Sequence, residues 1–158
     1  MELRYHTPLS PEEQIAHGLP APWPLAVADR VRFGEIDMLR HVNNAAYMAW
    51  FETIRIRYFQ DWGLSRYRDD DPRIVIRRAE IDYFAEMVMD ESYIVTARCG
   101  SFRRTSFTLL NEIWAGGTKR AGFSCVIVTL EPDGSAKRAL PHALIARFRD
   151  VDGAQPAG

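Results

Sequence analysis

One segment of the chain, residues 44–62, constrains the fold more than any other. It contains no proline or glycine, and it is followed by Gly63, a residue type that commonly ends helices. A helix of this length is about 28 Å long. Because a surface helix carries only one apolar stripe, apolar residues around most of the circumference predict a helix that is buried on most sides. These residues are Ala45, Ala46, Tyr47, Met48, Ala49, Trp50, Phe51, Ile54, Ile56, Tyr58, Phe59 and Trp62.

Five segments with the residue pattern of β-strands surround this helix in the sequence. One precedes it and four follow: Leu25–Phe33, Ile74–Phe84, Ser92–Cys99, Thr105–Trp114 and Lys119–Leu130. Gly116 and Gly117 predict a tight hairpin between the last two strands. The order predicts an α+β fold in which one curved antiparallel sheet wraps round one long helix. Since one helix cannot cover both faces of a sheet, we expect the chain to form a homo-oligomer.

The rest of the chain predicts one domain with two short extensions, which suits a length of 158 residues. Residues 1–24 form a lead-in that packs on the surface and contains a short helix beginning after Ser10. Residues 25–150 form the domain, which ends with a short helix over Pro141–Phe148. Residues 151–158 are small or polar, and they predict a frayed tail.

Composition excludes several classes of function. Hydrophobic residues make up 47% of the chain and the formal net charge is −1, so there is no overall positive field to attract nucleic acid. Two cysteines, Cys99 and Cys125, lie in strand-like runs and form neither a disulfide framework nor a metal site. No apolar run reaches the roughly 18 residues that span a bilayer, and no apolar signal segment begins the chain. We therefore expect a cytoplasmic protein that does not bind membranes.

The densest cluster of polar residues lies where the first strand gives way to the long helix. Within eight residues it places Asp37, His41, Asn43 and Asn44 beside the start of the helix. Helix N-termini carry free N–H groups and a partial positive charge. Such a position can stabilise an oxyanion that develops during a reaction.

The pattern Asp-x-x-x-His-Val-Asn-Asn-x-x-Tyr over residues 37–47, followed by Trp50-Phe51-Glu52 and Arg55, resembles the hotdog-fold acyl-CoA thioesterases of the 4-hydroxybenzoyl-CoA thioesterase type. The resemblance extends over residues 31–148 and includes the stretches 80–83 and 104–108. One departure follows Tyr83. Family members often have Pro and then Gly-Asp where this chain has Glu86, Asp90 and Glu91.

The resemblance implies roles for individual residues. Asp37 matches the carboxylate that attacks the thioester carbonyl or activates water, and the backbone N–H of Asn44 matches the group that polarises the carbonyl oxygen. Glu52 matches the position that supplies the catalytic acid in a second branch of the family, where it acts in the partner subunit's site. The family implies an acyl-CoA substrate and a homodimer or homotetramer. It implies neither a metal nor a redox cofactor.

Each of these residues also has an ordinary structural explanation. Asp often bonds the backbone of its own turn, which would suffice for Asp37. His41 either orients Asp37, water or the thioester, or makes a core hydrogen bond. Glu52 in a buried helix needs a partner, and Arg55 lies three residues away on the same face.

Two further sets of residues are candidates for substrate binding. Guanidinium and hydroxyl groups bind phosphate well, so a set at a strand turn is a candidate for the phosphates of coenzyme A, although it could equally be a solvated hairpin end. This set comprises Arg103, Arg104, Thr105 and Ser106. Tyr47 and its apolar neighbours on the helix suit either an acyl pocket or the core.

Two other functions compete with thioester hydrolysis. The first is a 3-hydroxyacyl dehydratase or hydratase of the same fold, which would use His41 and Glu52 as an acid–base pair. The second is a module that binds acyl-CoA without catalysis. The chain has no Gly-x-Ser-x-Gly motif, so a serine-type thioesterase is not expected.

Overall fold

A computed structural model describes residues 1–158. In chain order its helices are α1 (Pro11–Ala16), α2 (Asn44–Asp61) and α3 (His142–Asp150), and its strands are β1 (Leu25–Arg30), β2 (Arg73–Tyr83), β3 (Ser92–Phe102), β4 (Ser106–Ala115), β5 (Thr118–Leu130) and β6 (Gln155–Pro156). A single 3₁₀ turn covers Phe33–Glu35. The predicted long helix and all five predicted strands are present. No helix is both long enough and apolar enough to cross a membrane.

The strands form one sheet in the order β1-β3-β4-β5-β2, with antiparallel pairing throughout this path. Short strand β6 adds to β3 in parallel. Glycines at positive φ, Gly116 and Gly117, form the hairpin between β4 and β5. The predicted α+β class is confirmed.

Helix α2 packs against one face of this sheet, and aromatic rings form much of the contact. Phe51 stacks on Phe123 of β5 at a centroid distance of 4.6 Å, and Phe59 meets Phe107 of β4 edge-on at 6.2 Å. The other side of α2 is open: Met48, Glu52 and Ile56 are exposed. The prediction that α2 is buried on most sides was therefore wrong for the single chain, because nothing within the chain packs on Met48, Glu52 and Ile56.

The lead-in covers part of the opposite face of the sheet. Leu9 and Leu19 form a second apolar cluster with Ala26, Ala28 and Ile94. Gln14 is fully buried beneath them, and its side chain bonds backbone groups on both sides of it, at Leu9 and Trp23. Residues 1–24 thus pack on the surface of the domain.

The C-terminal tail is ordered, so the prediction that residues 151–158 fray was wrong. Asp152 is only 7% exposed, and its carboxylate accepts hydrogen bonds from the Tyr58 hydroxyl, from Trp62 Nε1–H at 3.0 Å and from the Cys99 N–H at 2.7 Å. Gln155–Pro156 then pairs with β3. The small and polar composition of the tail does not indicate this order, because the order depends on one buried carboxylate.

The opposite edge of the sheet is exposed. Strand β2 is 11 residues long, and only Ile74 and Ile81 are even partly buried. Its apolar residues Val75, Ile76 and Tyr83 face solvent in the single chain. A long edge strand with exposed apolar residues and no partner on its outer side is a ready site for pairing with another strand.

Candidate active site

The segment before α2 forms a tight turn that fixes Asp37. The Asp37 carbonyl accepts the Arg40 N–H at 3.0 Å, and the Asp37 N–H donates to the His41 carbonyl at 3.0 Å. Arg40 has a positive φ of 65° within this turn. One carboxylate oxygen of Asp37, Oδ1, accepts the Leu39 N–H at 2.8 Å, whereas Oδ2 has no hydrogen-bond partner. Asp37 therefore caps its own turn and still presents one free oxygen.

The start of α2 presents a free donor beside this turn. Asn43 is the N-cap residue, because its Oδ1 accepts the Ala45 N–H at 2.9 Å. Asn44 is the first helical residue, and its own N–H has no acceptor in the chain. A free N–H at the positive end of the helix dipole suits an oxygen on which negative charge develops.

Glu35 holds the turn and the helix together, a role that sequence reasoning missed. Its carboxylate accepts the Arg32 N–H at 2.8 Å and the indole N–H of Trp50, which lies on α2. Its carbonyl accepts the Asn43 N–H at 2.7 Å. The available signal was an acid three residues after Arg32, the spacing of a capping box.

The turn that bears Asp37 and the start of α2 border one pocket of about 420 Å³, the Asp37 pocket. It contains four of the predicted site residues, Asp37, His41, Asn44 and Tyr47. The end of β2 supplies Tyr83, whose hydroxyl donates to the Asn44 carbonyl at 3.0 Å, and Phe84 follows it. Neither was a predicted site residue, because their place beside α2 depends on sheet register.

Tyr47 forms an inner wall of the pocket. Its ring meets Tyr83 edge-on at 5.1 Å, and its hydroxyl has no hydrogen-bond partner. Burial raises the pKa of Tyr47 to about 12, so its hydroxyl stays protonated at neutral pH. It can therefore donate a hydrogen bond to a bound molecule.

His41 pairs with an acid on the far side of the pocket. Its Nε2 lies 2.9 Å from Oε2 of Glu86, and both side chains are partly open to solvent. Glu86 is one of the positions where this chain departs from the family pattern, so the departure supplies His41 with its partner.

Glu52 lies outside the pocket. Its side chain is 66% exposed, and its nearest counter-ion is Arg55, with Nη2 3.7 Å from Oε2. The expectation of a buried Glu52 was wrong, because it lies on the open side of α2. Within one chain, Glu52 and His41 share no cleft, so the acid–base pair that a dehydratase would need is not formed there.

The predicted phosphate-binding residues lie at the opposite end of the sheet from Asp37. Arg103 and Ser106 line a cleft of about 330 Å³, and Arg77 and Arg78 of β2 line its other side. We call it the basic cleft. Arg104 and Thr105 do not line it; their carbonyls accept the N–H groups of Leu140 and Thr129 instead. Sequence reasoning missed the two arginines of β2, because only strand pairing brings them to this turn.

No group of three or more His, Cys, Asp and Glu side chains is placed to hold a metal ion. The two thiols, Cys99 and Cys125, are buried and unpaired. Burial raises the pKa of Cys125 to about 11, so this thiol is protonated at neutral pH and is a poor nucleophile.

A sheet that packs on one long helix is the fold expected of a hotdog protein, and the acid and free N–H at the helix start are the groups that the thioesterase resemblance implies. Residues 31–148 match the model of the thioesterase-like superfamily. The chain belongs to this family, which confirms the resemblance seen in the sequence and the assignment to the thioester hydrolases.

Individual relatives agree with this membership. A crystal structure of a thioesterase superfamily protein from Jannaschia sp. CCS1 is 40% identical, with a TM-score of 0.92 over 98% of this chain and 99% of that one. A thioesterase from Thermus thermophilus, solved with coenzyme A and zinc, is 32% identical, with a TM-score of 0.71 over 83% and 96%. The acyl-CoA thioester hydrolase YbgC of Escherichia coli is 25% identical over 130 residues, which are 80% of this chain and 94% of that one.

Proposed function

We propose that the protein hydrolyses the thioester bond of an acyl-CoA or a related acyl carrier thioester. The observation that carries this proposal is one pocket with a free carboxylate oxygen, Asp37 Oδ2, and a free main-chain donor, the Asn44 N–H. An acyl-CoA thioester hydrolase and a thioesterase solved with coenzyme A, both described above, support the substrate class.

In the proposed reaction the thioester oxygen accepts a hydrogen bond from the Asn44 N–H, which favours the negative charge that develops there. Asp37 then acts in one of two ways. It adds to the carbonyl carbon and expels the thiolate, leaving an anhydride that water cleaves, or it removes a proton from water that adds directly. Both routes yield a free acid and a thiol, and neither requires a metal or a redox cofactor.

The walls of the pocket suit an apolar acyl group. Leu39, Tyr47, Tyr83 and Phe84 all line it. Met38 and Leu39 are strongly exposed in the single chain, and so is Phe84. Exposed apolar groups beside a pocket are typical of a surface that a ligand or a second subunit covers. The Tyr47 hydroxyl is then the polar group that contacts the substrate.

The complete site requires a second copy of the chain. Strand β2 carries Arg77 and Arg78 of the basic cleft at its middle and ends beside the Asp37 pocket, with about 20 Å from Arg77 to Tyr83. If two copies pair their β2 strands antiparallel about a two-fold axis that passes near Glu80, Arg77 of one copy comes near Tyr83 of the other. The phosphates of coenzyme A then bind the basic cleft of one subunit, while the thioester reaches Asp37 of the other.

Glu52 fits the same assembly. It points away from its own chain's pocket and lies on the open side of α2. The family resemblance places a catalytic acid at this position, acting in the partner subunit's site. We therefore assign Glu52 to the site of a second copy in a homodimer or homotetramer.

A thiol-release assay over a panel of acyl-CoA thioesters tests the proposed function. We expect release of coenzyme A with at least one acyl group, in a sample that is oligomeric. Loss of enoyl absorbance without thiol release would instead indicate a dehydratase, and saturable binding without turnover would indicate a binding module. Turnover in H₂¹⁸O detects the anhydride route, because label enters the Asp37 carboxylate only when water cleaves an anhydride at the Asp37 carbonyl.

A further inference from the structure

A second cleft, of about 440 Å³, lies between α2 and strands β1 and β3, away from the Asp37 pocket. It shares no lining residue with the Asp37 pocket. Its volume falls in the range of small-molecule sites, about 300–1,000 Å³. The proposed hydrolysis reaction makes no use of it.

The floor of this cleft is apolar and rigid. The rings of Trp50 and Tyr93 stack with centroids 4.1 Å apart, and Val27, Ile54 and Val95 surround them. The indole N–H of Trp50 is already bonded to Glu35, which fixes the ring. A flat apolar body can lie on such a floor.

One polar group that opens into this cleft has no partner in the protein. Tyr93 is only 2% exposed, yet its hydroxyl makes no hydrogen bond with the protein, although the residue lines the cleft. Burial raises the pKa of Tyr93, so the hydroxyl remains a donor at neutral pH. The hydroxyl oxygen is accessible from the cleft, so it is free to bond a ligand group there.

The rim of the cleft carries more positive than negative charge. Arg57 uses only its Nε, which donates to Asp61 at 3.2 Å, so both terminal nitrogens lack a partner. The one acid that lines the cleft, Asp29, already accepts two bonds from Arg32 Nη2, at 3.1 and 3.0 Å. His6 lies 3.7 Å from the same carboxylate. The two unbonded nitrogens of Arg57, beside an acid that Arg32 already pairs, can donate to an anionic ligand.

We propose that this cleft binds a small organic acid with an apolar, preferably aromatic, body. Its carboxylate accepts hydrogen bonds from the Tyr93 hydroxyl and the Arg57 guanidinium, and its body lies on Trp50. Arg32 and Trp50 both line the cleft and both donate to Glu35, which also holds the N-cap of α2. Glu35 therefore connects the cleft to the turn that bears Asp37, although the cleft and the Asp37 pocket share no residue.

The test is a titration of ¹⁵N-labelled protein with phenylacetate, monitored at the indole N–H signal of Trp50, which a Trp50→Phe variant identifies. We expect a saturable shift in the low-millimolar range or below, and at least tenfold weaker binding of the uncharged phenylacetamide. Tyr93→Phe and Arg57→Ala should each weaken phenylacetate binding about tenfold, whereas Arg66→Ala, which lies beyond the cleft, should not.

Tyr93→Phe removes a hydroxyl that bonds nothing in the protein, so this variant is expected to fold, and its full spectrum verifies this. Absence of saturation would overturn the proposal. It would also be overturned if Tyr93→Phe bound phenylacetate as tightly as the unmodified protein, or if binding were lost in Asp37→Asn instead, since the acid would then occupy the other pocket. None of these three results tests thioester hydrolysis.

Discussion

The indole N–H of Trp50 donates a hydrogen bond to the carboxylate of Glu35, and this contact joins the turn that bears Asp37 to the helix that bears Asn44. Glu35 also accepts the Arg32 and Asn43 N–H groups. Neither Glu35 nor Trp50 lines the Asp37 pocket. The geometry of the proposed site thus depends on a pair that lies beside it.

Breaking this pair should lower turnover without direct loss of a catalytic group. We expect Glu35→Ala and Trp50→Phe each to reduce kcat of thioester hydrolysis about tenfold or more, because misplacement of the reacting groups is costly. The double variant should be little worse than either single one, since residues in contact are not additive. Fully additive losses in steady-state kinetics would show that the two residues act separately.

Loss of arginines from the basic cleft should raise the KM for acyl-CoA. Replacing Arg78 and Arg103 with Ala removes groups that bind phosphate far from the reacting carbonyl, so kcat at saturation should change little while KM for acyl-CoA rises. A pantetheine thioester, which lacks the nucleotide phosphates, should be unaffected. Arg104→Ala is the matched control, because this neighbour does not line the cleft. Equal losses on both substrates would remove the cleft from the coenzyme A site.

Glu52→Gln should leave the free energy of unfolding within about 0.5 kcal/mol, because its ion pair with Arg55 is long, at 3.7 Å, and its own side chain is 66% exposed. Its effect should appear in activity instead. When Asp37→Asn and Glu52→Gln subunits are co-assembled, one site of each mixed dimer receives both defects and the other receives neither. Activity should therefore recover in mixed dimers. Correctly assembled mixed dimers without activity would place Glu52 outside the partner's site.

Asp152 should be a strong determinant of stability although it lies in the tail. Asp152→Ala leaves the Tyr58 hydroxyl and the N–H groups of Trp62 and Cys99 buried without an acceptor, and we expect a loss of about 3 kcal/mol. The exposed neighbour Asp150 provides the control, since Asp150→Ala should be nearly neutral. Urea unfolding measures both, and equal stabilities would mean that the tail is not held by this carboxylate.

Periodicity predicted most of the fold. The pattern of residues 44–62 and five alternating segments identified α2 and its sheet, because helix and strand periods are local properties of the sequence. Asp37, His41, Asn44 and Tyr47 were predicted together, since they lie within one short stretch. Tyr83, Arg77 and Arg78 were missed, because strand register brings them to the sites. The tail was misjudged because a single buried carboxylate outweighed a polar composition.

The central claim is that Asp37 carries the chemistry, and the most direct test is kcat for thiol release by Asp37→Asn at saturating acyl-CoA. The change keeps the size of the side chain and the Oδ1 contact with Leu39 but removes the anionic oxygen. Asp69→Asn, in the exposed loop before β2, is the matched control. We predict that Asp37→Asn folds and loses about 10²–10⁴-fold in kcat, while the control is unchanged. Near-full turnover by folded Asp37→Asn would contradict the account.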